Sequence, residues 1–424
     1  MPLNDPVCPR SDPKYWEDTN DGHGEDGKVP TYRFHFDCKN SRNLVQISGD
    51  SPDDPDLVCD QRCNLKIEGL GRYAKDTLIV SDRLKRDVIR ADRADGIVIR
   101  NLATEQGAFN GIDVVETNGF LLRKLHSRFN QNYGVLTFTS DNGLYDNIEA
   151  NGNGDSGVYP GSGPEGHCQR YGIEIRDVRS YGNVLGLSGT AGNGTWTHDS
   201  KFFNNAAGII NDSFVPGHPG MPQDCSKWTK NEIHSNNRNP FELPNQDYCR
   251  KTPFKDRPRT RLCPQFQVPV GSGVAGFGIN ANLIEDNKIY DNWRQGVAIF
   301  WVPAVIRGEN DPDKQTDTSN ENRVLDNLFG TDLNGESAPN GVDLYWDEEG
   351  TGNCWGQNRA FKDRKVTSNP ATLPTCEAGG SKPGAGIPGV KTAFEAPCAT
   401  WDPQDNPDPP GCSWFKTPPR PPKQ

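Results

Sequence analysis

Asp212 and Glu242 are the two carboxylates whose positions suit acid–base work on one covalent bond. Both are read as outward residues of a repeated strand, one repeat and two strand positions apart. Parallel strands lie about 4.8 Å apart and residues advance about 3.3 Å along each, so the pair is expected about 8 Å apart. Inverting glycosidases hold their carboxyls about 6.5–9.5 Å apart, which makes glycoside hydrolysis the first chemistry to consider. Asp113 is four repeats from Asp212, roughly 19 Å by the same ruler, and cannot share a bond with it. Elimination from a uronate is the second chemistry. It needs a cation against the sugar carboxylate and a base for the C5 proton. Tyr159, with His167 and Arg170 in the segment that follows and His218 in a later one, could supply these groups. Calcium is the cofactor such a lyase would bring. Each histidine has a plainer reading as a solvated loop residue.

These positions are fixed by a repeat. Gly111-Ile112, Gly134-Val135 and Gly157-Val158 recur every 23 residues, and Gly208-Ile209, Gly296-Val297 and Gly341-Val342 continue the series. Four residues before the Gly stands Asn130, Asn153, Asn204 or Asn292; Asn236 precedes Pro240-Phe241 in the same way. A period of this length with β-branched strands and Asn at a fixed corner is one coil of a parallel β-helix. Asn suits a left-handed corner and can hydrogen-bond from coil to coil. The expected fold is therefore all-β: a single-stranded right-handed parallel β-helix, with long loops on one edge and disulfide-stapled terminal extensions.

Alternation along the strand puts Ile112, Val135, Val158, Ile209, Val297 and Val342 in the core. The outward columns then carry Asp113, Tyr159, Glu242 and Asp343, and further on Phe138, Asp212, Phe300 and Tyr345, with Trp301 and Trp346 following. Aromatic rings among carboxylates suit a sugar polymer, whose C–H faces stack and whose hydroxyls donate. Asp113, Phe138, Arg170, Arg294, Phe300, Trp301 and Tyr345 are the expected substrate-binding set. Four long inserts, at Gly161 to Tyr171, Phe214 to Asp224, Asn245 to about Gly278 and Val302 to about Asn320, are expected to wall one edge of that face. The alternative is that they fold over it and bury its aromatics.

The chain has 424 residues, 33% of them hydrophobic, with 45 Gly and 34 Pro, which suits a thin solenoid core. Residues 1–63 are read as an N-terminal cap, 64–350 as the β-helix, and 351–424 as a Pro/Gly-rich extension whose last dozen residues are expected to be disordered. A net charge of −11 argues against nucleic acid as a partner. No apolar run reaches the ~20 residues of a membrane-spanning helix. Twelve cysteines against seven histidines favour disulfides over metal, hence an oxidising compartment and secretion, although no signal peptide is read at Met1. A monomer is expected.

The Gly-apolar and Asn columns, with Asp92-Arg93-Ala94-Asp95-Gly96 and Tyr133-Gly134-Val135-Leu136-Thr137-Phe138, resemble secreted bacterial proteins of the pectate lyase-like superfamily. That resemblance implies a right-handed parallel β-helix. It spans polysaccharide lyases, hydrolases, epimerases, tailspikes and non-catalytic surface proteins, so it does not choose an activity. The Gly-His-Gly of polygalacturonases occurs only at Gly22-His23-Gly24, outside the coils, and the Asp-Pro-His-Glu of alginate epimerases does not occur. The reading reached is a carbohydrate-active protein, hydrolase or lyase, with a polysaccharide as partner. The alternative is a non-catalytic polysaccharide-binding or surface-structural β-helix.

Overall fold

The computed structural model describes residues 43–50, 58–164, 166–214, 218–305, 307–310, 317, 319–382, 391 and 396–423, with the backbone of an antiparallel pair, Trp16–Asp18 and Lys28–Pro30. The expected strand at Phe34 to Cys38, and Cys8 and Cys38 themselves, lie outside the described residues. The chain winds as a right-handed parallel β-helix, the hand that strand–crossover–strand units adopt. One side is an eleven-stranded parallel sheet that begins at Val45–Ser48 and ends at Ser368–Asn369. Pairing thus continues past both ends of the 64–350 span. The other two sides are served by long strands such as Asn118–Arg128 and Asp141–Asn151; from Ile173 onward each is divided in two, as in Ile173–Arg176 and Arg179–Tyr181.

Ile112, Val135, Val158, Ile209 and Val297 fill one core column, all fully buried. Leu187 and Val274 belong to it too, on coils hidden in the sequence by irregular spacing. Val342 does not. Val297 pairs with Leu344, four residues after the ladder Asn340, so Gly341-Val342 lies in the corner before the strand, and Trp346 turns inward against Trp355.

The corners explain the Asn. At each, one residue takes positive φ and the next is the ladder Asn: Phe129 (φ 56°) before Asn130, Gly182 (67°) before Asn183, Asn204 (55°) before Asn205, Ser235 (53°) before Asn236. Asn205, not Asn204, is therefore the ladder member, and the left-handed residue is its predecessor. Each ladder Asn donates its backbone N–H and its amide to the Oδ1 of the Asn one coil on; the amide bonds measure 2.8 Å for Asn130 to Asn153 and 3.1 Å for Asn236 to Asn292. Two further ladders, Asn231–Asn287–Asn327–Asn358 and Asn282–Asn322–Asn353, hold the other corners of the later coils. The repeated Gly follows from this. A Cβ on Gly134 would sit 2.9 Å from the Asn153 amide nitrogen and 2.4 Å from the Gly157 carbonyl oxygen.

Inserts 162–172, 213–226 and 301–322 leave after a long-sheet strand, at the expected edge. The fourth, 237–271, leaves before its strand, Ser272–Phe277, and so starts from the opposite edge. Cys168–Cys225 joins the first two inserts, and Cys249–Cys263 closes the fourth on itself. Cys354–Cys376 and Cys398–Cys412 staple the C-terminal extension, and Cys59–Cys63 closes a small loop near the start. No helix among the described residues is long and apolar enough to cross a membrane.

Asn236→Ala should destabilise the protein by about 2–4 kcal/mol, because it strands the donors of Asn205 while removing donors to Asn292 and Phe202. Urea unfolding followed by circular dichroism checks this, and a loss under about 0.5 kcal/mol contradicts the ladder's role.

Candidate functional site

The outer face of the long sheet has two outward columns. One runs Arg90, Asp113, Leu136 and Tyr159, then Ser188, Ile210, Ala275, Ala298 and Tyr345; the other runs Asp92, Val115, Phe138 and Gly161, then Thr190, Asp212, Phe277 and Phe300. The face divides into three zones.

The N-terminal zone is a buried charge cluster. Arg90 binds Asp92 at 2.8 Å and also Asp113, with Asp87 3.9 Å away. Asp113 is thus part of a closed ion cluster rather than an open contact for substrate. Burial raises its pKa, the charges of Asp87 and Asp92 add to this, and Arg90 opposes it.

The C-terminal zone is covered. Phe277 and Phe300 stack at 4.6 Å and pack beneath Trp414, with Phe241, Trp401 and Phe415 in the same apolar cluster. Insert 237–271 and residues 398–415 therefore lie over the sheet, which is the plainer alternative for the aromatics. Phe300 is buried, and Tyr345 is packed against it under the Lys391 ammonium. Trp301 is half-buried, its backbone N–H donating to Asp347 at 2.7 Å. Arg294 donates to the carbonyls of Val270, Ser413 and Lys416, and so clamps the tail instead of a ligand. Residues 413–416 are accordingly seated on the coils.

Glu242 is not on the sheet. The coil's corner is made by Asn236, but Pro240-Phe241 opens an insert instead of a strand, and Glu242 caps the helix Leu243–Lys251 in an exposed position. The strand position beside Asp212 is taken by Phe277. The expected Asp212–Glu242 pair is therefore absent.

The central zone brings other groups together. Thr190 donates from Oγ1 to Asp212 at 2.9 Å, and its N–H donates to the Tyr159 hydroxyl at 3.1 Å. The Phe214 N–H also donates to Asp212, at 3.1 Å. Tyr159 packs on Tyr133 at 4.5 Å, with Leu136 completing a small apolar cluster. Phe138 is half-buried and meets the His218 ring edge-on at 5.5 Å. A second buried carboxyl, Asp155, interacts electrostatically with Asp212 and Tyr159 and takes a hydrogen bond from Ser156 at 2.8 Å. Asp212 and Asp155 are 1% and 4% exposed. Burial lifts the carboxyl of Asp212 to about 6 and that of Asp155 to about 7, the charge of Asp212 adding to the second. Burial and the same two charges push the Tyr159 phenol well above its usual value. His167 lies exposed on its insert, and Arg170 is committed to Asp141 at 2.8 Å.

Asp155 and Thr190 were not legible as site residues. Asp155 belongs to the corner after Asn153, outside the strand count, and Thr190 to a coil whose spacing from its neighbours is 30 and 22 residues. Calcium finds no carboxylate set among the described residues: the single convergent trio is Asp50 with Cys59 and Cys63, whose sulfurs are joined to each other. On another side of the helix Tyr181, Phe203, His234 and Tyr290 form a column at 5.0, 5.2 and 4.6 Å. Their inner ring faces are covered by one another, so the column ties coils together.

No protein-family model matches the chain, and no curated protein sequence matches it. Among solved structures it is similar to the A-module of Azotobacter vinelandii mannuronan C-5 epimerase AlgE4, with 14% identity, TM-score 0.46, and coverage of 70% of this chain and 79% of that one. It is also similar to the catalytic domain of a GH87 α-1,3-glucanase, with 11% identity, TM-score 0.41, and coverage of 72% and 55%. The Dettilon tailspike protein gives 11%, 0.39, and 75% and 54%. Likeness of this degree carries no statement about activity.

A carboxyl whose native pKa is raised binds more protons folded than unfolded, so stability falls as pH rises from the unfolded pKa through the native one. Asp155 and Asp347, both lifted to about 7, and Asp212, at about 6, place that window between about pH 4 and 7. The melting temperature should decline across it. Asp155→Asn should flatten the decline and stabilise the protein at pH 8 by on the order of 2 kcal/mol. A wild-type stability that rises from pH 5 to pH 8 contradicts these environments.

Proposed function

We propose that the protein is a secreted enzyme that cleaves a polysaccharide lying across the central coils of the long sheet. The single observation that carries this reading is a trio of buried groups, Asp155, Asp212 and Tyr159, that interact electrostatically, with Thr190 bonded to both Asp212 and Tyr159 and the two carboxyls held near neutral pKa. Groups tuned this way are what acid–base catalysis near neutral pH requires. Asp212, with the lower pKa, serves as the base, and Asp155, with the higher, as the acid. Tyr159 keeps its proton and orients the site from a hydroxyl anchored on Thr190. Tyr133, Phe138 and His218 flank it with ring surface suited to a sugar. Five disulfides among the described residues support an oxidising, extracellular setting.

A second reading is a non-catalytic glycan-binding or surface-structural β-helix. It is favoured by the burial of Phe300 and the packing of Tyr345 against it, which remove two of the four rings expected to stack on a sugar. Activity variants separate the two. Asp212→Asn and Asp155→Asn should each lower turnover of a cleaved polysaccharide by about 100-fold or more while leaving the fold intact. The wild-type profile of kcat/KM should be bell-shaped with limbs near pH 6 and pH 7. Turnover unchanged in the double variant sinks the assignment, and glycan binding without turnover supports the second reading.

A further inference from the structure

The outer face is poor in available cations. Among the described residues its two outward columns hold one cation, Arg90, against Asp92, Asp113 and Asp212. That guanidinium is enclosed by the carboxylates of Asp92 and Asp113. Cations approaching from inserts and tail are engaged elsewhere: Arg170 with Asp141, Arg294 with tail carbonyls, Arg307 with the Val302 carbonyl, and Lys391 with Glu348. A polyuronate would add one carboxylate per sugar to a face already acidic and largely desolvated. Like charges so placed cost several kcal/mol. A neutral sugar brings hydroxyl donors and no like charge to these carboxyls. β-Elimination also needs a base for the C5 proton, and the Tyr159 phenol, which accepts the Thr190 N–H, is held protonated by its burial.

We propose that the glycan is uncharged over the central coils, so that its bond is broken by hydrolysis rather than by elimination. This rests on the assignment of Asp155 and Asp212 as the acid–base pair. The glycosidic C–O bond breaks and the Asp155 carboxyl gives its proton to the leaving oxygen. Water adds its oxygen to the anomeric carbon and its proton passes to the Asp212 carboxylate. Transfer of that proton to solvent, with uptake of one by Asp155, restores the pair, so one water is consumed per bond.

The test uses the whole chain on glucans, galactans and mannans, each beside the polyuronate made from it by C6 oxidation. Reducing ends and unsaturated-product absorbance are both read, with wild type, Asp212→Asn and Tyr159→Phe. The expected result is release of reducing ends from a neutral polymer, at least about tenfold slower release from its oxidised form, no unsaturated product, and loss of turnover in Asp212→Asn. Asp212-dependent cleavage of a polyuronate at an equal or faster rate, or any unsaturated product, overturns the neutral-glycan inference while leaving the site standing. Cleavage that survives Asp212→Asn, or none of any polymer, overturns the site and the inference with it.

Discussion

The structure depends on one recurring problem, the buried N–H that follows each left-handed corner. A coil can turn sharply only if a residue takes positive φ, and the next backbone N–H then points into the stack, where water cannot reach it. An Asn on the adjacent coil accepts that N–H and donates its amide onward, so every corner is satisfied by its neighbour. The bond runs along the axis and is cooperative in the sense that a missing member leaves donors unpaired on one side and acceptors on the other. Because the ladder lies beside the strand start, the following residue has no room for a Cβ, and Gly is imposed. Core column, Gly column and coil spacing are all consequences.

A scaffold so constrained leaves variation to the strand's outward positions and to the inserts. Along the long sheet these produce a gradient, from a closed ion cluster through a central zone to an apolar seam under the C-terminal extension. The extension is held by Arg294, whose guanidinium donates to backbone carbonyls, and by the ring contacts of Trp401, Trp414 and Phe415. It leaves the coils around Tyr159 uncovered by that seam. There the same burial that stabilises the fold penalises the ionised forms of Asp155 and Asp212. The chemistry is a by-product of placing carboxyls where the sheet is packed.

The repeat was legible because a ladder requires the same residue at the same corner, and Gly111, Gly134 and Gly157 keep one spacing. It failed where an insert entered between corner and strand. Asn236 is a true ladder residue, yet Pro240-Phe241 only imitates the Gly-apolar pair, and that imitation brought Glu242 into a column it never joins. Gly341-Val342 imitates the pair in the same way: it sits in the corner after Asn340, and Leu344 takes the core position. The aromatics Phe300 and Tyr345 were placed on the correct face, but which side chains cover a face depends on contacts made by residues over a hundred positions away, as with Trp414 on Phe277. Asp155 was missed since a corner residue has no strand parity to count. Tyr159 and Asp212 were found because they lie within regular strands.

The central claim is that two carboxyls beside Tyr159 are poised for proton transfer near neutrality. Side-chain carboxyl carbon shifts followed by NMR against pH, assigned with Asp155→Asn and Asp212→Asn, test it directly. The account predicts midpoints near 7 for Asp155 and near 6 for Asp212. Midpoints below about 4 for both, the range of an ordinary solvated aspartate, would contradict it.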